Sequence, residues 1–438
     1  MNGDISEADH RHRAAARLLH ELARPLRVLA ALSWDGSLRE RFLASGAEKL
    51  PEPRYEPIDP QPVIDGVSHV RRLLRPGTIV DDWLGREARA IEATARMLGA
   101  AGTPAFHEYS RELYGVPTRP LRFDPTTPLD LAEQVHRAIA ELTTAKLLAP
   151  PERDRTGEQV AAELEAGVRL HFGDAAPKVE LVDELSANAL ATATRIKVRR
   201  GAMFTRRDAA QLLNHEAFIH VATALNGRAQ TDLPILAIGH PGTTRTQEGL
   251  AVFSEFVSGT LDLDRLRRLA DRVVAVQMVC EGADFIELYR WFLERSASRE
   301  QAFECTRRIF RGAPLQGGAP FTKDCGYLSG LLGVLMFVRA AFSANRSDTL
   351  GLLFAGKLDL SAIPALADLR RRGLCRRARF LPPWAADPGW VLSYLTLSTF
   401  LARVDLTAVA EGVKQALADC PPPSQSSATL IREEAPAG

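Results

Sequence analysis

Residues Thr205 to Phe256 constrain this chain more than any other stretch. They contain Asn214-His215-Glu216-Ala217-Phe218-Ile219-His220 and, further on, Thr246-Gln247-Glu248-Gly249-Leu250-Ala251. Both segments have helical spacing, and the three metal-binding side chains meet only if the two helices pack side by side. The first segment approximates His-Glu-x-x-His, the pattern in which two histidines bind zinc and the glutamate serves as base. Here one more residue separates the histidines. Ligands four residues apart sit about 40° apart around a helix, whereas five apart gives about 140°. Convergence on one ion therefore requires a local i→i+5 widening, a π-bulge, which is rare outside functional sites.

A catalytic zinc ion takes three protein ligands and keeps one position open. His215 and His220 supply two of them. Glu248 and Glu255 both qualify as the third, since seven residues place them on one helix face. Glu248 is favoured, because it is expected in the first turn and Gly249 beside it allows close helix approach. Glu255 would then hold a ligand histidine by a hydrogen bond. Glu216 is the candidate general base. The bland alternative is a chance pairing of two histidines on an ordinary helix. His240 reads as a loop histidine, and His107-Glu108 lacks a second histidine and reads as a helix start.

Composition narrows the partners. Across 438 residues, 55 Lys and Arg balance 54 Asp and Glu, so charge gives no reason to expect nucleic acid or an anionic membrane. The basic runs Arg199-Arg200 and Arg370-Arg371-Arg372 read as solvated faces. Five cysteines without Cys-x-x-Cys spacing argue against a disulfide framework or a cysteine zinc knuckle and fit a reducing cytoplasm. The N-terminus is acidic and polar, and the apolar run 326–338, ending at Arg339, reads as too short to span a bilayer.

Along the chain, helical periodicity over 8–43 gives way to a proline-dense connector from Pro51 to Pro62. Helices are expected at 65–74, 82–98, 129–148 and 158–170. Alternating residues over 178–184 and 194–200 predict two short strands. Thr205, with Asp208, is the expected N-cap of a central helix over 206–225, which Asn226-Gly227 should stop. A second helix should begin near Thr246. Helices fill the rest, broken at 312–320 and at Pro382-Pro383, with a disordered tail from Pro421. The expected fold class is α+β and predominantly helical: an N-terminal helical region with its linker over 1–75, a catalytic body over 76–420, and a tail over 421–438.

Four segments stand in order: Leu113-Tyr114-Gly115-Val116-Pro117, Arg195 through Phe204, Gln247-Glu248-Gly249-Leu250-Ala251, and Phe321 through Gly330. Together, over roughly 113–383, they resemble the bacterial proteins named for the Gln-Glu-Gly-Leu-Ala motif and described as modulating flavohaemoglobin expression. Vertebrate relatives of that family are the microtubule-associated tyrosine carboxypeptidases. The resemblance implies a zincin-like metallopeptidase domain with a small antiparallel sheet, and Zn2+ held by His215, His220 and Glu248, with Glu216 as catalytic base. It also implies a cytoplasmic metallocarboxypeptidase that removes a residue, aromatic in the vertebrate case, from a peptide or protein C-terminus. Such an enzyme needs a cation for the terminal carboxylate and a donor for the oxyanion. Arg311 and Lys323 suit substrate binding and Tyr327 catalysis, while a salt bridge from Lys323 to Asp324 or another acid is the competing role. One departure stands out: relatives carry glycine where this chain has Phe218, so this ring is expected to alter the bulge or fill part of the pocket. That keeps a rival reading, a regulatory or peptide-binding protein with a structural or vestigial zinc site. Oligomeric state is not legible.

Overall fold

Alanine and leucine on one face of Glu7–Ala23 bury Ala15, Ala16, Leu19 and Ala23, and Ser6 caps the helix by accepting from Asp9 N. In this computed structural model, which describes residues 6–142, 152–183, 185, 188–296, 298–405 and 407–418, the single helix expected over 8–43 is three. Val28–Ala31 and Ser37–Ala44 follow the first. Pro25 has no amide to continue the ladder, and Asp35 accepts from Ser37 N at 2.8 Å to restart it. The proline-rich connector leads into Gln61–Leu73 and then Ile79–Gly99, capped by Thr78. The helix expected over 129–148 is described as Pro128–Leu142, and the remainder, with the 421–438 tail, lies outside the described residues.

The largest core joins distant parts of the chain. Leu19, Val67, Trp83, Leu84 and Ile91 from the N-terminal helices pack with Leu250, Phe253, Val334, Phe354 and Trp384. At its centre, helices Pro241–Val257 and Gly326–Ser343 cross in direct backbone contact. A Cβ on Gly249 would lie 2.1 Å from the carbonyl carbon of Gly330, and one on Gly330 would lie 2.2 Å from the carbonyl oxygen of Arg245. The apolar run does not end at Arg339. Thr322–Ser343, with mean hydropathy 1.6, is long and apolar enough by length and composition to cross a membrane. Its buried Val334, Val338 and Ala341 belong to the shared core.

The chain is predominantly helical with a two-stranded antiparallel sheet, Arg155–Thr156 against Met203–Phe204, and a three-stranded sheet that is mixed rather than antiparallel. Arg195–Arg199 lies between Lys178–Val182 and Ala189–Ala191. It runs parallel to the first, pairing Ile196 with Val179, and antiparallel to the second, pairing Lys197 with Leu190. The last of these three strands in sequence takes the middle place because its alternating Ile196 and Val198 are fully buried against Val160, Leu164 and Phe172 of the helix Gly157–Phe172.

The central helix comprises Asp208–Leu212, a π-helical segment Leu213–Val221, and Ala222–Arg228. Thr205 is not its N-cap. The Asp208 carboxylate accepts from Thr205 N at 2.7 Å, while the Thr205 hydroxyl, though buried, has no partner among the described residues. Asn226-Gly227 does not stop the helix either. Buried Asn226 donates to Phe354 O and Phe380 O and accepts from the amides of Arg379 and Phe380. A Cβ on Gly227 would stand 2.1 Å from Leu236 O. The pair docks the helix onto two loops.

Candidate metal centre

The turn Pro234–Ala237 returns the chain so that Pro241–Val257 lies against the π-helical segment. The second helix begins at Pro241, so Glu248 falls in its third turn rather than its first. His240 is the residue before it, and its Nε2 lies 2.6 Å from Glu87 Oε2, which places it outside the centre.

The i→i+5 widening turns both histidines the same way. Their ring centroids are 4.9 Å apart, and each Nε2 lies 3.7 Å from Glu248 Oε2. Ligand atoms of His215, His220 and Glu248 all fall within 4.8 Å of one another. Donors at ~2.1 Å around a tetrahedral zinc ion stand ~3.4 Å apart, so the spacing fits the ion. Glu255 is not the third donor. Fully buried, its Oε1 lies 2.6 Å from His215 Nδ1, and since a carboxylate only accepts, Nδ1 carries the proton and Nε2 faces Glu248. Arg265 Nη2 and Gln211 Nε2 hold Glu255 in turn, at 3.1 and 2.9 Å.

The charges suit a cation. Burial opposes ionisation of Glu248, but Lys323 and the histidines outweigh it and hold the carboxyl well below its usual range. Burial pushes His220 down, keeping its ring neutral. Burial also disfavours imidazolium at His215, yet hydrogen bonds to Glu248 and Glu255 reverse this and raise it to about 10. Glu248 thus stays ionised, and a cation bound at His215 Nε2 would displace the proton that Glu248 stabilises there.

The flanking residues divide. Glu216 Oε2 accepts from Ala191 N at 3.2 Å, on the edge strand. Lys323 Nζ donates to Glu248 Oε1 at 3.1 Å and lies 3.4 Å from Tyr327 Oη. Asp324, the other acid considered for Lys323, is instead taken by Arg308 through two bonds of 2.9 and 2.8 Å. Arg311 is buried and, among the described residues, forms no ion pair. Burial, reinforced by Arg307 and Arg308, pushes it down to about 10. It lines a small cavity with Arg308, Lys323 and Asp324. Phe218 packs on the sheet side of the widened segment. Its ring lies 4.5 Å from that of His171, in the core beneath the sheet.

Two contributors had no local signal in the sequence. Arg265 is one of many arginines near a helix start, and Lys357 follows a glycine in an unremarkable loop. Lys357 Nζ nevertheless donates to His220 O at 3.0 Å. Burial pushes its ammonium down to about 8, against the opposing pull of Glu248 and Glu216.

No curated protein matches the chain. Residues 40–403, which include every residue of this centre, match the family model described as microtubule-associated tyrosine carboxypeptidase, and the chain belongs to that family.

Proposed function

We propose that this protein is a zinc-dependent metallocarboxypeptidase with a zincin-like catalytic body, acting in the cytoplasm on the C-terminus of a peptide or protein. The observation that carries the reading is the convergence of His215 Nε2, His220 Nε2 and Glu248 Oε2 on one point, enabled by the π-helical turn. A bound zinc ion would supply Lewis acidity that polarises the scissile carbonyl and lowers the pKa of water. Glu216, adjacent in sequence to the ligand His215, takes the proton from the attacking water and returns it to the departing amine. The amide of Ala191 holds one oxygen of Glu216 and leaves the other for that transfer. Tyr327 offers a phenolic donor to the developing oxyanion. Lys323 keeps Glu248 ionised and oriented, also donates to Tyr327 Oη, and has one N–H left for substrate. Arg311, a buried guanidinium with no ion pair among the described residues, suits the terminal carboxylate. The family description favours an aromatic C-terminal residue.

Purified protein should contain about one zinc per chain, and His215→Ala should remove it. Glu216→Gln should keep the metal and lose at least ~100-fold in activity. Release of C-terminal residues from a broad peptide library, read by mass spectrometry, decides the rest. A zinc-loaded wild-type protein that binds library members and releases nothing would establish a peptide-binding protein instead.

A further inference from the structure

Lys357 lies outside the helices that carry the ligands, and three backbone segments fix where it starts. The carbonyl of Leu236, in the turn between those helices, accepts from Lys357 N at 2.7 Å. A Cβ on Gly227 would stand 2.1 Å from that oxygen, and one on Gly356 would stand 2.5 Å from it. Only glycine on both sides permits the approach. The side chain then runs past Gly239, where an added Cβ would lie 3.9 Å from Lys357 Cγ and Cδ. It ends with Nζ 3.0 Å from the carbonyl oxygen of ligand His220.

That carbonyl stands where the widened turn gives way to the α-helix beginning at Ala222. Widened and ordinary turns offer amides at different offsets, so carbonyls near such a junction draw on other donors. Thr223 Oγ1 reaches Ile219 O at 2.6 Å and also Gln247 Oε1 at 3.0 Å. Lys357 reaches His220 O. Among the described residues it forms no salt bridge; Glu248 and Glu216 act on it only at longer range. A half-buried ammonium with one neutral acceptor is costly to desolvate, and an apolar side chain of equal length would fill the space at lower cost. Stability therefore does not account for a lysine here.

We propose that Lys357 is a positioning residue for His220: its N–H···O bond fixes the register of the widened turn, and so the place of His220 Nε2 relative to Glu248. The bond needs an N–H rather than a charge, so ammonium and amine serve alike. This inference rests on the metal-centre reading and adds to it a residue from a third segment of the chain.

Lys357→Met keeps the stem and removes the donor. Wild-type and variant chains, stripped with chelator, are titrated with cobalt(II) and followed by visible absorption, with thermal unfolding measured before metal is added. The expected result is at least ~10-fold weaker cobalt binding with an altered spectrum, and an unfolding midpoint equal to or above that of the wild type. A variant whose affinity and spectrum match the wild type overturns the inference and leaves the metal centre standing. A variant that unfolds at lower temperature overturns it as well, since Lys357 would then be structural. A wild-type chain that gives no cobalt spectrum overturns the metal-centre reading, and this inference with it.

Discussion

Phe218 shows what one residue can and cannot reveal. Counting residues from His215 to His220 was enough to require a π-bulge, because ligands about 140° apart cannot share an ion. The same count says nothing about where the intervening ring points. In the widened segment Phe218 turns away from the ligands toward His171 and the sheet-side core. It is therefore a packing residue. Phe218→Ala should cost about 3 kcal/mol in denaturant unfolding while zinc stoichiometry stays unchanged; loss of zinc without loss of stability would show that the ring shapes the centre. Glu255 is the opposite case, a residue whose two legible roles were separated only by distance. Its 2.6 Å bond to His215 Nδ1 makes it the support of that ring. Glu255→Gln should weaken zinc binding about 10- to 100-fold in chelator competition, with Glu248 still in place.

At the scale of elements, the helices were legible and their junctions were not. Propensity and periodicity located Ile79–Gly99 and Gly157–Phe172 to within a few residues. The Glu248 helix starts well before Thr246 because Pro241 at its first position and His240 before it open the helix. The mixed sheet had no local signature, since alternation gives each strand a buried face but not a neighbour. Gly249 was legible as a close approach, and its partner Gly330 was not. Gly249→Ala places a methyl carbon 2.1 Å from the Gly330 backbone, which neither helix can relieve by rotating a side chain. The expected cost is about 3 kcal/mol in chemical unfolding, and a variant as stable as the wild type would mean the helices slide apart freely. The turn Thr322–Cys325 depends on charge as well. Burial would raise the Asp324 carboxyl, but Arg308 and Arg272 outweigh it and hold it below its ordinary 3.8. Its stabilising contribution is thus complete above 3.8 and is lost as pH falls through the depressed value. Asp324→Asn should cost about 3 kcal/mol near neutrality, and the two unfolding curves should converge in acid. A gap that stays constant with pH would rule out the carboxylate's charge as its source.

For the whole molecule, the decisive contacts join the beginning of the chain to the turn that aligns both site helices. His20 Nδ1 donates to Pro234 O at 2.8 Å, and Arg13 Nε lies 2.8 Å from Asp232 Oδ1. Arg372, from the far end of the chain, pairs with Asp9. Between these polar clamps Ala15, Ala16 and Leu19 are fully buried in the core that also contains Leu250 and Phe253 of the Glu248 helix. Composition and periodicity give a helix over these residues but cannot say that it covers this turn, because Asp232 and Pro234 lie more than two hundred positions away. Leu19 alone is worth about 2 kcal/mol of burial, and removal of residues 1–24 would also expose the apolar seat beneath it. Because helix and centre share one core, they should melt as one unit. The truncated chain should unfold at lower temperature than the full chain, with loss of far-UV ellipticity and release of zinc coinciding in both. If zinc leaves the truncated chain well before its helices melt, the N-terminal helix acts locally on the Pro234–Ala237 turn. If the truncated chain melts and binds zinc as the full one does, the N-terminal helix is dispensable to the core it covers.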